Sequence, residues 1–122
     1  MSLLDNPLLN QLQRYMDVTS FRQSLIAANM ANVDTPNYQT VDVDFQSALR
    51  AAENQMLPES QVQENLGREV RPVPGLLQRP DGNNVSIDRE GTLMAQTQLE
   101  FSTAVAILRE EFHRIQMAIE GQ

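Results

Sequence analysis

The chain is 122 residues long, about one domain, with 41% apolar residues but only 5% aromatic ones and no Trp, so bulky core anchors are scarce. Its net charge is −7 and its nine basic residues are all Arg, which leaves no basic stripe to displace counterions from nucleic acid or an anionic membrane. The absence of Cys excludes disulfides and thiol chemistry, and no apolar run approaches the ~18 residues of a bilayer span. The opening MSLLDNPLL has neither a basic region nor an apolar core followed by small residues, so no cleavable secretory signal is expected there.

Asn6 has the chemistry of an N-cap, and Pro7 at the first helical position loses nothing by lacking an amide hydrogen. A helix is expected over residues 6–32. Leu8, Leu9, Leu12, Tyr15, Met16, Thr19, Ile26 and Met30 form one stripe along it, and Val18, Phe21, Leu25 and Ala28 a second, displaced stripe. A helix apolar on two sides needs more than one neighbour, and a chain this short has few to offer.

Pro36 then stops the helical pattern and pushes Thr35 toward extended backbone. Asn32, Asp34 and Asn37 supply turn chemistry. Residues 33–44 read as a turn and an extended segment, in which Gln39, Val41, Val43 and Phe45 share one side and Tyr38, Thr40, Asp42 and Asp44 the other. The expected result is a half-buried segment with an acidic outer edge. Asp44 is placed to cap a short helix over 45–56, marked by Phe45, Ala48, Leu49, Ala52 and Met56.

From residue 57 to 87 the periodicity dissolves among prolines and glycines, and this reads as a loop or flexible insert, with extended pieces around Val70 to Pro74 and a turn at Asp81, Gly82 and Asn83. Asp88 is the expected cap of a long C-terminal helix over 88–120, with Arg89 following and Glu90 in its first turn, facing the positive end of the dipole. Met94, Phe101, Val105, Leu108, Phe112, Ile115 and Ile119 repeat in threes and fours like a coiled-coil seam, and Leu99, Ala106 and Met117 lie opposite. The fold class is therefore mainly α: long N- and C-terminal helices packed as an antiparallel coiled-coil hairpin, with a short extended segment, a short middle helix and a flexible loop between. Leu12, Met16 and Ile26 are expected to face Phe101, Val105, Leu108, Phe112, Ile115 and Ile119 across the seam. Apolar stripes left over mark association sites, and non-self-complementary faces propagate into helical arrays.

The string Ala28, Asn29, Ala31, Asn32, Thr35, Pro36, Tyr38, continued by Asp42, Asp44 and Phe45, resembles the N-terminal signature of bacterial flagellar rod and hook axial proteins. DGNNVSIDRE, from Asp81 and Gly82 through Asp88 and Arg89 to Glu90, is similar to the segment before the C-terminal helix of proximal rod subunits in that family. Position 37 is Asn where the family usually has Gly, and Asn is the next most tolerant residue at a left-handed position. Ser86 stands where an acidic residue is often found. The resemblance implies a structural subunit of the basal-body rod in the periplasmic space, exported through the flagellar type III apparatus. Its implied partners are other copies, other rod proteins and the basal-body base or export gate. Alternatives are another axial or inner-rod subunit of a flagellar or related secretion apparatus, or a small acidic helical export chaperone or adaptor.

Nothing in the residues points to an enzyme, and neither cofactor nor small-molecule substrate is expected. His113 is the only histidine and lacks companion metal ligands. Asp42 and Asp44 are near neighbours, but paired-carboxylate catalysis needs a pocket that raises one pKa; a hydrated or interface-facing edge is the simpler reading. The Asp81–Glu90 stretch lacks the glycine and terminal Glu of a calcium loop. Asn29 and Asn32 have two readings, as C-caps of the first helix or as amides that bond the backbone of a neighbouring subunit.

Overall fold

The computed structural model describes residues 6–53 and 58–121. Helix α1 spans Pro7–Ala31, with the Asn6 side chain accepting from the Leu8 amide and Pro7 at its start. Strand β1 is Val41–Val43, helix α2 Phe45–Glu53, helix α3 Glu59–Arg68, strand β2 Val70–Pro72 and helix α4 Ile87–Glu120. Met56 and Leu57, at the junction of the expected middle helix and loop, lie outside the described residues.

Helices α1 and α4 form the antiparallel hairpin. Three side-chain hydrogen bonds set its register: Asn29 to Glu90 at 3.1 Å, Gln23 to Gln98 at 3.2 Å and Asn6 to Glu111 at 2.9 Å. Leu12, Thr19 and Ile26 are buried on α1, and Glu90, Thr97 and Ala104 on α4, in both cases seven residues apart. That is the spacing of a heptad seam. The seam threonines are satisfied within their own helices, Thr19 donating to the Tyr15 carbonyl and Thr97 to that of Met94.

This centre is rotated from the line expected on α4. Met16, Phe101, Val105, Leu108 and Ile115 are half-buried, while Phe112 and Ile119 are 50% and 59% exposed. The small Thr97 and Ala104 occupy the closest approach to the bulky Leu12 and Ile26 side of α1, and larger α4 side chains are displaced to the margins or outward.

The second stripe of α1, apart from the exposed Ala28, is covered by the chain itself. Val18 packs in a cluster with Val43 of β1, Ala48 and Ala52 of α2, and Val62 and Leu66 of α3, with Phe21, Leu25, Phe45, Leu49 and Val70 around it. Tyr15 meets Phe45 edge-on at 5.2 Å between ring centroids, a favourable aromatic geometry. Complete burial of Val62 and Leu66 contributes roughly 1.5–3 kcal/mol each. The chain thus supplies neighbours for both sides of α1 along most of its length, where few were expected, and leaves Leu8 and Ala28 exposed.

The loop expected over 57–87 is corrected too. Glu59–Arg68 is helical, and Val70–Pro72 pairs antiparallel with β1, Val41 opposite Pro72, Asp42 opposite Arg71 and Val43 opposite Val70. A ten-residue helix with only Val62 and Leu66 buried carries too few apolar positions to announce itself as periodic. Its N-terminal end is tied to α1: Arg14 Nη1 lies 3.2 Å from Asp17 and 3.3 Å from Glu59. Burial, the hydrogen bond to Glu59 and the charge of that carboxylate push the Asp17 carboxyl up to about 6, against the opposing effect of Arg14.

Two caps also differ in detail. Ser86, not Asp88, is the N-cap of α4, its hydroxyl accepting from the Arg89 amide; Asp88 sits in the first turn, exposed. Asp44 precedes α2 with its carbonyl accepting from the Ala48 amide and its carboxylate accepting from the Ser47 hydroxyl.

Candidate assembly interface

The turn after α1 is held by amides from three parts of the chain. Asn29, buried on α1, donates through Nδ2 to the Val41 carbonyl at 2.8 Å and to Glu90 at 3.1 Å. Its Oδ1 accepts from the Val41 amide at 3.1 Å and the Tyr38 hydroxyl at 3.0 Å. The side chain thus exchanges two bonds with the backbone of β1, as a neighbouring strand does. Neither reading of Asn29 from the sequence anticipates this: it neither caps α1 nor is it free for a neighbouring subunit. Asn32 does cap α1, bonding the Ala28 carbonyl through both its backbone N–H and its side-chain amide.

Asp42 is buried, which corrects the acidic outer edge expected for this segment. Arg22 grips it bidentately, at 3.0 Å through Nε and 2.9 Å through Nη2, and Arg89 approaches at 3.4 Å while pairing with Glu90 at 2.7 Å. The Asp42 bond raises the Arg22 pKa against the opposing effect of burial. Glu90 is enclosed here as a partner of Asn29 and Arg89, a more specific role than facing the helix dipole. Burial, and then the nearby Glu90 charge, push the Tyr38 phenol above its ordinary value. Asp44, by contrast, is exposed.

The DGNN turn closes the corner from the other side. Asn83, fully buried, donates to the carbonyls of Asn32 at 2.9 Å and Thr35 at 2.8 Å, and accepts from the Val85 amide. Asn84 accepts from the Thr40 amide at 2.7 Å and donates to Gln39. Asn37 adopts φ 63° and bonds Asp81 through its amide, and Gly82, at φ 86°, lies against it: a Cβ there would be 2.2 Å from Asn37 Oδ1. The Asn83 amide and then Arg79 hold the exposed Asp81 carboxyl below the usual range. Arg79 also donates to the Val33 carbonyl.

The motif residues therefore divide. Asn29, Asn32, Tyr38, Asp42, Gly82, Arg89 and Glu90 are built into the corner, and Phe45 joins the adjoining core. Ala28, Ala31, Thr35, Pro36, Asp44, Asp81 and Asp88 lie on the surface. Arg22 and Asn84, to which the sequence pattern assigns no role, and Asn83, expected only as a turn residue, are as central as any of them. Consecutive Asn residues after an Asp-Gly turn were the available signal, since buried amides repay their desolvation only by bonding backbone.

The most exposed single apolar side chain is Leu77, before α4, but most of the exposed large apolar side chains lie on α4, at Leu99, Ile107, Phe112, Met117 and Ile119. His113 is exposed. Among the described residues no His, Cys, Asp or Glu cluster is suited to a metal, and no helix is long and apolar enough to cross a membrane.

No protein-family model matches the chain. It is 34% identical over 123 aligned residues to the flagellar basal body rod protein FlgB of Borrelia hermsii, covering 88% of this chain and 91% of that one. The chain belongs to the FlgB family. The FlgB proteins of Salmonella typhimurium strain LT2 and Bacillus subtilis strain 168 are 29% and 27% identical, covering 89% and 99% of this chain and 90% and 98% of their own. As a member of the FlgB family, it is a structural subunit of the proximal rod of the flagellar basal body. What the corner and the hairpin contribute is a fixed shape with one outward helix.

Proposed function

We propose that copies of the chain stack helically with one another and with other axial proteins, forming part of a rigid shaft that transmits torque, without catalytic activity of their own. The observation that carries this reading is the outward side of α4, where Phe112, Met117 and Ile119 are each half-exposed or more on an otherwise acidic chain. Apolar side chains in that arrangement are covered by association. The motif residues act in this reading by fixing the angle between the helix pair and the extended segment. The base of the basal body and its export gate are the proposed neighbours at the cell-proximal end, reached through the flagellar type III export apparatus, with the assembled subunit in the periplasmic space.

The test is an affinity-tagged copy expressed in flagellated cells of the source bacterium lacking the untagged one. Isolated basal bodies are expected to contain the tag in the rod density, and deletion is expected to leave cells without rods. Complete rods in the deletion strain, or a tag found only in soluble fractions, would overturn the reading.

A further inference from the structure

Resting on the rod-subunit reading, we propose that the outer stripe at the far end of α4 of one copy docks into the groove between α1, α2 and α4 of a second copy. The groove measures about 420 Å³; Leu12, Tyr15, Leu49 and Ile107 give it apolar walls, and Glu53 and Glu100 give it acidic ones. Glu53 is exposed and has no ion pair or hydrogen bond among the described residues; Glu100 accepts from Gln96 and lies within reach of the Arg22 charge. An apolar floor beside two carboxylates accepts an apolar helix edge that carries a cation.

Among the described residues, the far end of α4 presents such an edge. Arg109, Phe112, Gln116 and Ile119 follow one another at intervals of three, four and three residues, which places them on one line of the helix. Phe112 and Ile119 are 50% and 59% exposed. Arg109 is exposed without an ion pair among the described residues, whereas Arg114 nearby is occupied by Glu110 and Glu111 at 3.8 Å. Its one carboxylate, Glu120, stands at the far end of the line, where it accepts from Gln116 at 3.2 Å. The other apolar strip of α4, through Leu99, Ala106 and Met117, has Glu110 alongside it and, with Arg114 occupied, no unpaired cation among the described residues to set against the groove's acids.

The stripe and the groove are different surfaces of one chain, so a copy engaged at its groove still presents its stripe. The contact is heterologous and repeats from copy to copy. The net charge of −7 works against indiscriminate self-association, and the Arg109 site is where that repulsion is locally reversed.

The test uses full-length chains replacing the natural copy in flagellated cells. Arg109→Glu is expected to lower the yield of rod-bearing basal bodies at least tenfold, as is Glu53→Arg, and the chain carrying both is expected to recover most of the yield. A second variant, Glu53→Cys with Arg109→Cys, is expected to give disulfide-linked ladders when assembled rods are treated with a mild thiol oxidant, because the natural chain has no Cys and the two positions belong to different copies at the contact. Undiminished assembly of Arg109→Glu, absence of rescue in the double reversal, or rods containing the cysteine pair without ladders would each overturn the contact. The tagged natural chain in the rod separates these failures from failure of the rod reading itself.

Discussion

Asn29 and Glu90, sixty-one positions apart in sequence, meet at 3.1 Å in the buried joint between α1 and α4, with Asn29 simultaneously holding the backbone of Val41. One amide therefore fixes three segments. Asn29→Ala strands Glu90 Oε2, the Val41 peptide and the Tyr38 hydroxyl together, leaving Glu90 only its Arg89 partner. A loss of about 3 kcal/mol in urea unfolding of the isolated chain is expected, since buried partners left unsatisfied cost about 1–3 kcal/mol and more when charged. Stability equal to that of the unaltered chain would show the joint to be hydrated.

Arg22 and Asp42 form the second tie across the joint. Removing either alone leaves a charge with little solvent, and Arg22→Ala is expected to cost about 3 kcal/mol. A double-mutant cycle with Asp42→Asn should yield a coupling energy above ~1 kcal/mol, well beyond the range for an exposed pair. Additive losses would mean that the bidentate geometry contributes nothing of its own.

Gly82→Ala places a methyl group 2.2 Å from Asn37 Oδ1 and forces an L side chain to φ 86°. The expected destabilisation is about 2 kcal/mol, combining backbone strain with the clash. Replacing Asn37 by Gly in the same chain removes the clash but not the strain, so thermal unfolding should recover part of the loss. Full recovery, or none, would reassign the cause to one of the two alone.

The Asp17 carboxyl, held at about 6 in the folded chain against an ordinary 3.8, gives a pH dependence of defined sign. Between about 4 and 6 the folded state binds more protons than the unfolded one, so stability falls as pH rises through that window and is regained on acidification. Asp17→Asn should flatten this slope, as read by denaturant midpoints across the range. A slope unchanged by the substitution would place its origin elsewhere.

Phe112→Asp separates fold from assembly. Because Phe112 is half-exposed, the isolated chain should lose less than ~0.5 kcal/mol, while rods fail to form as the charge becomes buried between copies. A large loss of stability in the isolated chain would return Phe112 to the hairpin seam.

The hairpin was legible because α1 and α4 have long repeats and strong punctuation at Asn6, Pro7 and Pro36. The middle was not: α3 buries only Val62 and Leu66, and its packing against Val18 is a tertiary event that local periodicity does not encode. The same limit applies to Asp42, whose alternating, polar-looking position is overridden by Arg22 from one side and Arg89 from another. At the corner, the turn residues announced where the chain bends. They did not announce that Asn29, Asn83 and Asn84 bond backbone from distant segments, because an amide's partners follow only from the finished geometry.

Helix α4 has 34 residues and α1 has 25. Among the described residues α4 runs on past Glu111, which meets Asn6 at the start of α1, so in the proposed stack whatever covers the projecting turns of one copy brings projecting turns of its own. In the proposed stack every added copy would offer a new projection, and a neighbour of different sequence that covers the last one and offers none in return is what would end it.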